Sequence, residues 1–271
     1  MSFFFKSYYK PGPGVRKDEP RKKGAARFFE LLNRDFWDLV KLNLLFFICI
    51  LPTTGAFLVG FIGFYSGLFF LLALILAIPV GGALVAYVYY ITKMMRDDPS
   101  YVWYEFKRKF AENWKQAAPV GVLCSTFIYA QVLLWYFMVY IESSGDLLLF
   151  ILALLSLLLF SMITPYIFLH LAYIKLRTFG TLKNSFLLSF GYLPRSFMGA
   201  VSSGVIWILL VLYLPLSFVL LPLVALIFIS LSMLLCLMWV WKPFDTQFKI
   251  EETLLERAKE EETEKETEET E

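Results

Sequence analysis

Four stretches of the chain, residues 42–92, 116–141, 147–174 and 196–241, contain no Asp, Glu, Lys or Arg, and they alternate with segments that carry nearly all of the charge. A helix rises about 1.5 Å per residue and the hydrocarbon core of a bilayer is roughly 30 Å thick, so about twenty apolar residues make one crossing. The two middle stretches each fit one crossing, whereas the first and last are long enough for two and must fold back. Gly63-Phe64-Tyr65-Ser66-Gly67 and Tyr213-Leu214-Pro215 supply the reversals. The pattern predicts an all-α, polytopic membrane protein. Its six-helix transmembrane bundle spans about 39–62, 68–92, 118–141, 147–173, 197–214 and 216–240.

The polar links have a helical period of their own. Between residues 97 and 118, Trp103, Phe106, Phe110 and Trp114 share one face while Lys107, Arg108, Lys109 and Lys115 point elsewhere. Residues 181–195 repeat the arrangement with Leu182, Lys183, Phe186 and Phe190, and a third version, Phe28, Phe29, Leu32, Phe36 and Trp37, precedes the first span. These segments predict short amphipathic helices lying at the membrane interface. Trp103, Phe106, Phe110, Trp114, Leu182, Phe186 and Phe190 form a candidate docking face for a partner, the alternative being that they brace the bundle. Trp37, Trp114 and Phe190 stand 77 and 76 residues apart, which suggests three copies of an interfacial helix followed by a hairpin.

Charge fixes the orientation. With six spans all 25 Lys and Arg fall on one side, which the positive-inside rule makes cytoplasmic, and the other side carries only Glu142 and Asp146. Both termini are then cytoplasmic, in the cell membrane. Three regions follow: a basic N-terminal segment and interfacial helix (1–35), the transmembrane domain (36–241), and a partly disordered acidic tail (242–271). The net charge of +2 conceals the contrast between them, because residues 251–271 hold eleven Glu against three basic residues. The basic remainder is expected to face anionic lipid headgroups, and nucleic acid is not an expected partner. An apolar fraction of 59% excludes an ordinary soluble domain. Met1-Ser2-Phe3-Phe4-Phe5-Lys6 lacks the charge order and small-residue site of a signal peptide.

Little in the spans is equipped for chemistry. Cys49, Cys124 and Cys236 are scattered singly in apolar runs, and His170 has no acid in its span, so no catalytic, cofactor or metal site is expected. Two prolines are more suggestive. Pro52 removes a helical bond to the Ile48 carbonyl and Pro79 one to the Ile75 carbonyl, each near mid-span, and Thr164-Pro165 is a third such position. Thr53, Thr54, Gly55, Gly81 and Gly82 would let the two broken spans approach, with Asn43 adding a hydrogen bond. Broken helices line substrate sites in transporters, and they are also simply packing kinks.

Several motifs taken in order carry a family resemblance. They are Pro11-Gly12-Pro13-Gly14-Val15 with Lys17, Asp18 and Pro20; Asn43-Leu44-Leu45 running to Pro52-Thr53-Thr54-Gly55; Pro79-Val80-Gly81-Gly82-Ala83 ahead of Tyr87 and Lys93-Met94-Met95-Arg96-Asp97; and the segment from Phe106 to Gln116. The chain resembles the YesL-like family of bacterial integral membrane proteins, whose biochemical function is unassigned. The resemblance implies an accessory role in carbohydrate uptake in a Gram-positive bacterium, beside the permease or ATPase subunits of a sugar ABC transporter. A non-catalytic accessory or scaffold subunit is therefore the leading expectation. The alternatives are a small permease or channel built on Pro52 and Pro79, and a membrane-embedded sensor acting through the acidic tail.

Overall fold

The computed structural model describes residues 22–64, 67–98, 101–140, 147–174, 176–212, 227–256 and 260, and among them every regular element is a helix. In chain order these are α1 (Ala25–Arg34), α2 (Phe36–Leu58) continued by a π-helical stretch (Val59–Phe64), α3 (Gly67–Leu76), α4 (Ile78–Met95) and α5 (Val102–Tyr140). Then come α6 (Leu147–Tyr173), α7 (Thr178–Gly191), α8 (Leu193–Leu212) and α9 (Ile229–Phe248). Phe36–Ile62, Gly67–Met95, Val102–Met138 and Leu147–Tyr173 are long and apolar enough to cross a membrane. Three of them match the expected 39–62, 68–92 and 147–173 to within a few residues, and the third contains most of the expected 118–141 but begins sixteen residues earlier. The match follows because ionisable side chains are what a hydrocarbon environment excludes most strongly. The reversal expected at Tyr213-Leu214-Pro215 lies outside the described residues.

The ends of the helices sort by charge. α1, the starts of α2 and α5 and the ends of α4, α6 and α9 meet at one end through Arg27 and Arg34 of α1 with Asp97, Tyr90 with Asp38, Lys93 with Glu105, and Arg96 with Tyr173 and Trp241. The buried core is concentrated toward this end, in residues such as Tyr87, Ile91, Phe168, Leu169, Leu237 and Phe244, each 2% exposed or less. Farther away the bundle turns its apolar side chains outward: Ile62 is 70% exposed, Leu68 71% and Leu147 71%. Such an apolar surface suits contact with lipid, where burial against protein is not what stabilises a leucine.

Two boundaries differ from the sequence expectation. The interfacial helix expected over 97–118 is not a separate element; it forms the first turns of α5, one helix of roughly 58 Å that runs through Pro119. Lys115, Gln116, Ala117 and Ala118 are strong helix formers and offer no stop signal. A close crossing with α4 also grips the helix on both sides of the proline. A Cβ on Gly81 would stand 2.0 Å from the Ala117 carbonyl oxygen, and one on Gly121 would stand 2.3 Å from the Gly81 nitrogen. The second difference is at the tail, since the boundary drawn at residue 242 falls inside α9, whose Phe244 is fully buried. Lys249 then adopts the left-handed conformation (φ 50°), and residues 250–256 form a helical stretch that returns to the core. Ile250 is buried there, and the Trp241 indole donates to Glu251 at 3.1 Å.

Candidate functional site

The broken-helix residues come together only in part. α3 ends at Leu76 and α4 starts at Ile78, with Ala77 bonding three residues back to Leu74, so the chain around Pro79 is discontinuous. α2 continues through Pro52, which faces outward and is exposed. The link between them is Thr53. It is fully buried, donates to the Ala73 carbonyl at 2.7 Å, and lies 2.6 Å from the Tyr129 hydroxyl, which donates to it. The break at Ala77 leaves the Ala73 carbonyl without its helical donor, and a hydroxyl from the neighbouring span takes that place. Thr54 instead bonds back to the Ile50 carbonyl at 2.9 Å, within its own helix.

The other residues expected at this site serve different contacts. Gly81 and Gly82 open the crossing with α5, where a Cβ on Gly82 would meet Trp114 at 3.1 Å, and Gly55 has no atom within 4 Å of such a Cβ. The expectation that these glycines join the two broken spans is corrected accordingly: the close approach is α4 with α5. Asn43 is fully buried beside α4 and α9, where the Tyr87 hydroxyl lies 3.1 Å from its Oδ1 and 2.8 Å from Ser230 Oγ. Ser230 in turn donates to the Leu39 carbonyl at 2.9 Å. Pro165 is buried in an unbroken α6, with Thr164 donating to the Phe160 carbonyl at 2.6 Å. Each of these hydroxyls has a hydrogen-bond partner within the protein, as a buried polar group in an apolar setting requires.

The charged end holds the densest polar network. Asp97 follows α4 with φ 65°, in the turn that closes the helix, where Asp98 N–H donates to the Lys93 carbonyl and Asp97 N–H to the Met94 carbonyl. The Arg27 guanidinium donates to both carboxylate oxygens of Asp97 at 2.7 Å and to the Met95 carbonyl at 3.0 Å, while Arg34 reaches the same carboxylate. Partial burial pushes the Asp97 carboxyl upward, but the hydrogen bonds from Arg27 and Arg34 outweigh it and hold it below the ordinary aspartate value of 3.8. Arg96, 7% exposed, lies between the rings of Tyr173 and Trp241 at 5.5 and 5.4 Å and donates to the Tyr173 hydroxyl at 2.9 Å. Beside it Glu105, also nearly buried, accepts from Lys93 and Arg108. A cleft of about 350 Å³ opens between Arg34, Asp35, Asp38, Tyr90, Asp97 and Asp98, and its carboxylates all have partners in the network. The ion-pair network had no signal in the sequence, because Arg27 and Asp97 are 70 residues apart.

The expected docking face is split. Phe106 is buried and Phe110 packs on the core, whereas Trp103 is 66% exposed and Trp114 41%. On α7, Leu182 is half-buried while Phe186 and Phe190 are exposed, their rings 4.6 Å apart. The structure adds exposed Tyr101, Tyr104, Phe179 and Leu187 to this set. His170 is fully buried, with Nδ1 2.8 Å from the Tyr166 carbonyl oxygen. No family model, curated protein or solved structure matches the chain.

Proposed function

We propose that the chain is a non-catalytic accessory or scaffold subunit of a membrane transport system, crossing the cell membrane six times with both termini in the cytoplasm. The observation that carries this reading is the contrast between the two ends of the bundle. The polar groups at the helix break are occupied by one another, as in the Thr53 bond that closes the break at Ala77, and this favours a packed scaffold over a conduit. The charged end instead displays exposed Tyr101, Trp103, Tyr104, Phe179 and Phe186 around a fixed network of ion pairs, the kind of aromatic surface that membrane interfaces and partner proteins engage. Membership of the YesL-like family, and with it ABC-type carbohydrate uptake and partnership with permease or ATPase subunits, rests on the motifs from Pro11 to Gln116.

Purification in mild detergent with mass spectrometry of co-eluting proteins tests the reading. Subunits of a sugar transporter are expected with the wild type and lost with Trp103→Ala combined with Phe186→Ala, at unchanged amounts of the membrane protein. The discontinuity at Ala77 favours a second reading, a small permease. Solute uptake into proteoliposomes holding this chain alone, abolished by Pro79→Ala, would overturn the accessory reading in favour of the permease.

A further inference from the structure

α7 lies with its polar side inward. Thr181, Ser185 and Ser189 recur one turn apart and are each fully buried, while Phe186, Leu187 and Phe190 face out. The middle one of these inward hydroxyls lies against α6, where Ser185 Oγ is 3.1 Å from Nδ1 of the equally buried His170. Phe244 and Phe248 close on the imidazole edge to face, each with its centroid 5.1 Å away. The Tyr166 carbonyl oxygen, 2.8 Å from Nδ1, can only accept a hydrogen bond. Nδ1 therefore carries the hydrogen, and Nε2 of the neutral ring is an acceptor.

Three buried atoms of this seam, His170 Nε2, Thr181 Oγ1 and Ser189 Oγ, reach no protein partner. Other helical hydroxyls of the chain avoid that state: Thr126, Thr164 and Thr246 donate to the carbonyl one turn back at 2.8, 2.6 and 2.8 Å. Buried polar groups are almost always paired with protein or with ordered water, and isolated unpaired ones are rare. Here two such hydroxyls flank Ser185 on one buried face of α7, and the acceptor belongs to the imidazole that Ser185 touches. We propose that the α6–α7 contact is a built water site, in which a short file of ordered water donates to His170 Nε2 and accepts from Thr181 and Ser189. Thr181 and Ser189 are two helical turns apart, about 11 Å, so more than one water is needed and Ser185 lies midway along the file.

The test uses the full chain in lipid nanodiscs with methyl-labelled threonine, reading magnetisation transfer from water to each methyl group. Strong transfer is expected at Thr181. Thr53 and Thr92 serve as references, because both are fully buried but their hydroxyls bond to protein, and they should stay silent. A Thr181 methyl as silent as these two would overturn the proposal. Thermal unfolding supplies an independent reading. Thr181→Val and Ser189→Ala remove hydroxyls without filling space, so each should lower the midpoint by a few degrees if water bonds them. An unchanged or raised midpoint for both would show that the hydroxyls are simply unpaired, and would also overturn it.

Discussion

Asp97 combines two requirements that few residues meet together. Its φ of 65° suits glycine or a short polar side chain, and its carboxylate bridges Arg27 and Arg34 across 70 and 63 residues of chain. Asp97→Ala loses both the tolerance of that backbone and the partner of an arginine whose side chain is only 11% exposed, so a loss of about 2 kcal/mol in stability is expected. Asp97→Gly restores the backbone preference but not the charge, and should fall between wild type and alanine in chemical denaturation. The pH dependence has a definite sign. A carboxylate held below its ordinary value stabilises the fold fully above that value, and the contribution disappears as pH falls through the lower folded one. The unfolding midpoint of the wild type should therefore drop below about pH 4, and Asp97→Asn should flatten that part of the profile. No local pattern announces such a residue. The sequence marks Thr53 as a candidate because it follows a proline in an apolar run, yet the identity of its partner, the Ala73 carbonyl, depends on how the spans pack.

Helix boundaries were legible where lipid or glycine sets them and illegible where tertiary contacts do. The first, second and fourth spans end close to where charged residues reappear, and the expected 147–173 and the observed Leu147–Tyr173 coincide. α5 runs past the expected junction at 118 because its crossing with α4 stabilises the continuous form, and that crossing depends on two glycines in different helices. The boundary between α3 and α4 falls at Ala77, two residues before Pro79, whereas Pro52 lies in a helix that continues. The α4–α5 crossing yields a sharp expectation. In Gly81→Ala the new methyl would overlap the Ala117 carbonyl, a backbone atom that cannot move without shifting α5, and the substitution should cost about 1–3 kcal/mol. Gly55→Ala is the control: its Cβ meets nothing within 4 Å, and alanine is the better helix former by about 1 kcal/mol, so stability should hold or rise. Thermal unfolding of the two variants in one detergent compares them directly.

At the scale of the whole molecule, the arrangement of charge is the strongest constraint on orientation. α2, α4, α5, α6 and α9 bring ends together through Asp38 with Tyr90, Lys93 with Glu105 and Arg96 with Tyr173 and Trp241, as the proposed topology, in which the chain returns to the same side after each pair of crossings, would have them. The proposed topology adds that this side is the cytoplasm, on the strength of 25 Lys and Arg that six spans would all leave there. The two claims separate experimentally. Single cysteines at Ser144, between the third and fourth spans, and at Lys183, which is exposed on α7, should label on opposite sides in a background lacking Cys49, Cys124 and Cys236. With a membrane-impermeant thiol reagent on intact cells, Ser144→Cys should react and Lys183→Cys should react only after permeabilisation. The inverse pattern would leave the bundle intact but reverse the orientation. Labelling of both from outside would require an even number of crossings between them and would contradict the six-span arrangement itself, since α6 would then fail to cross.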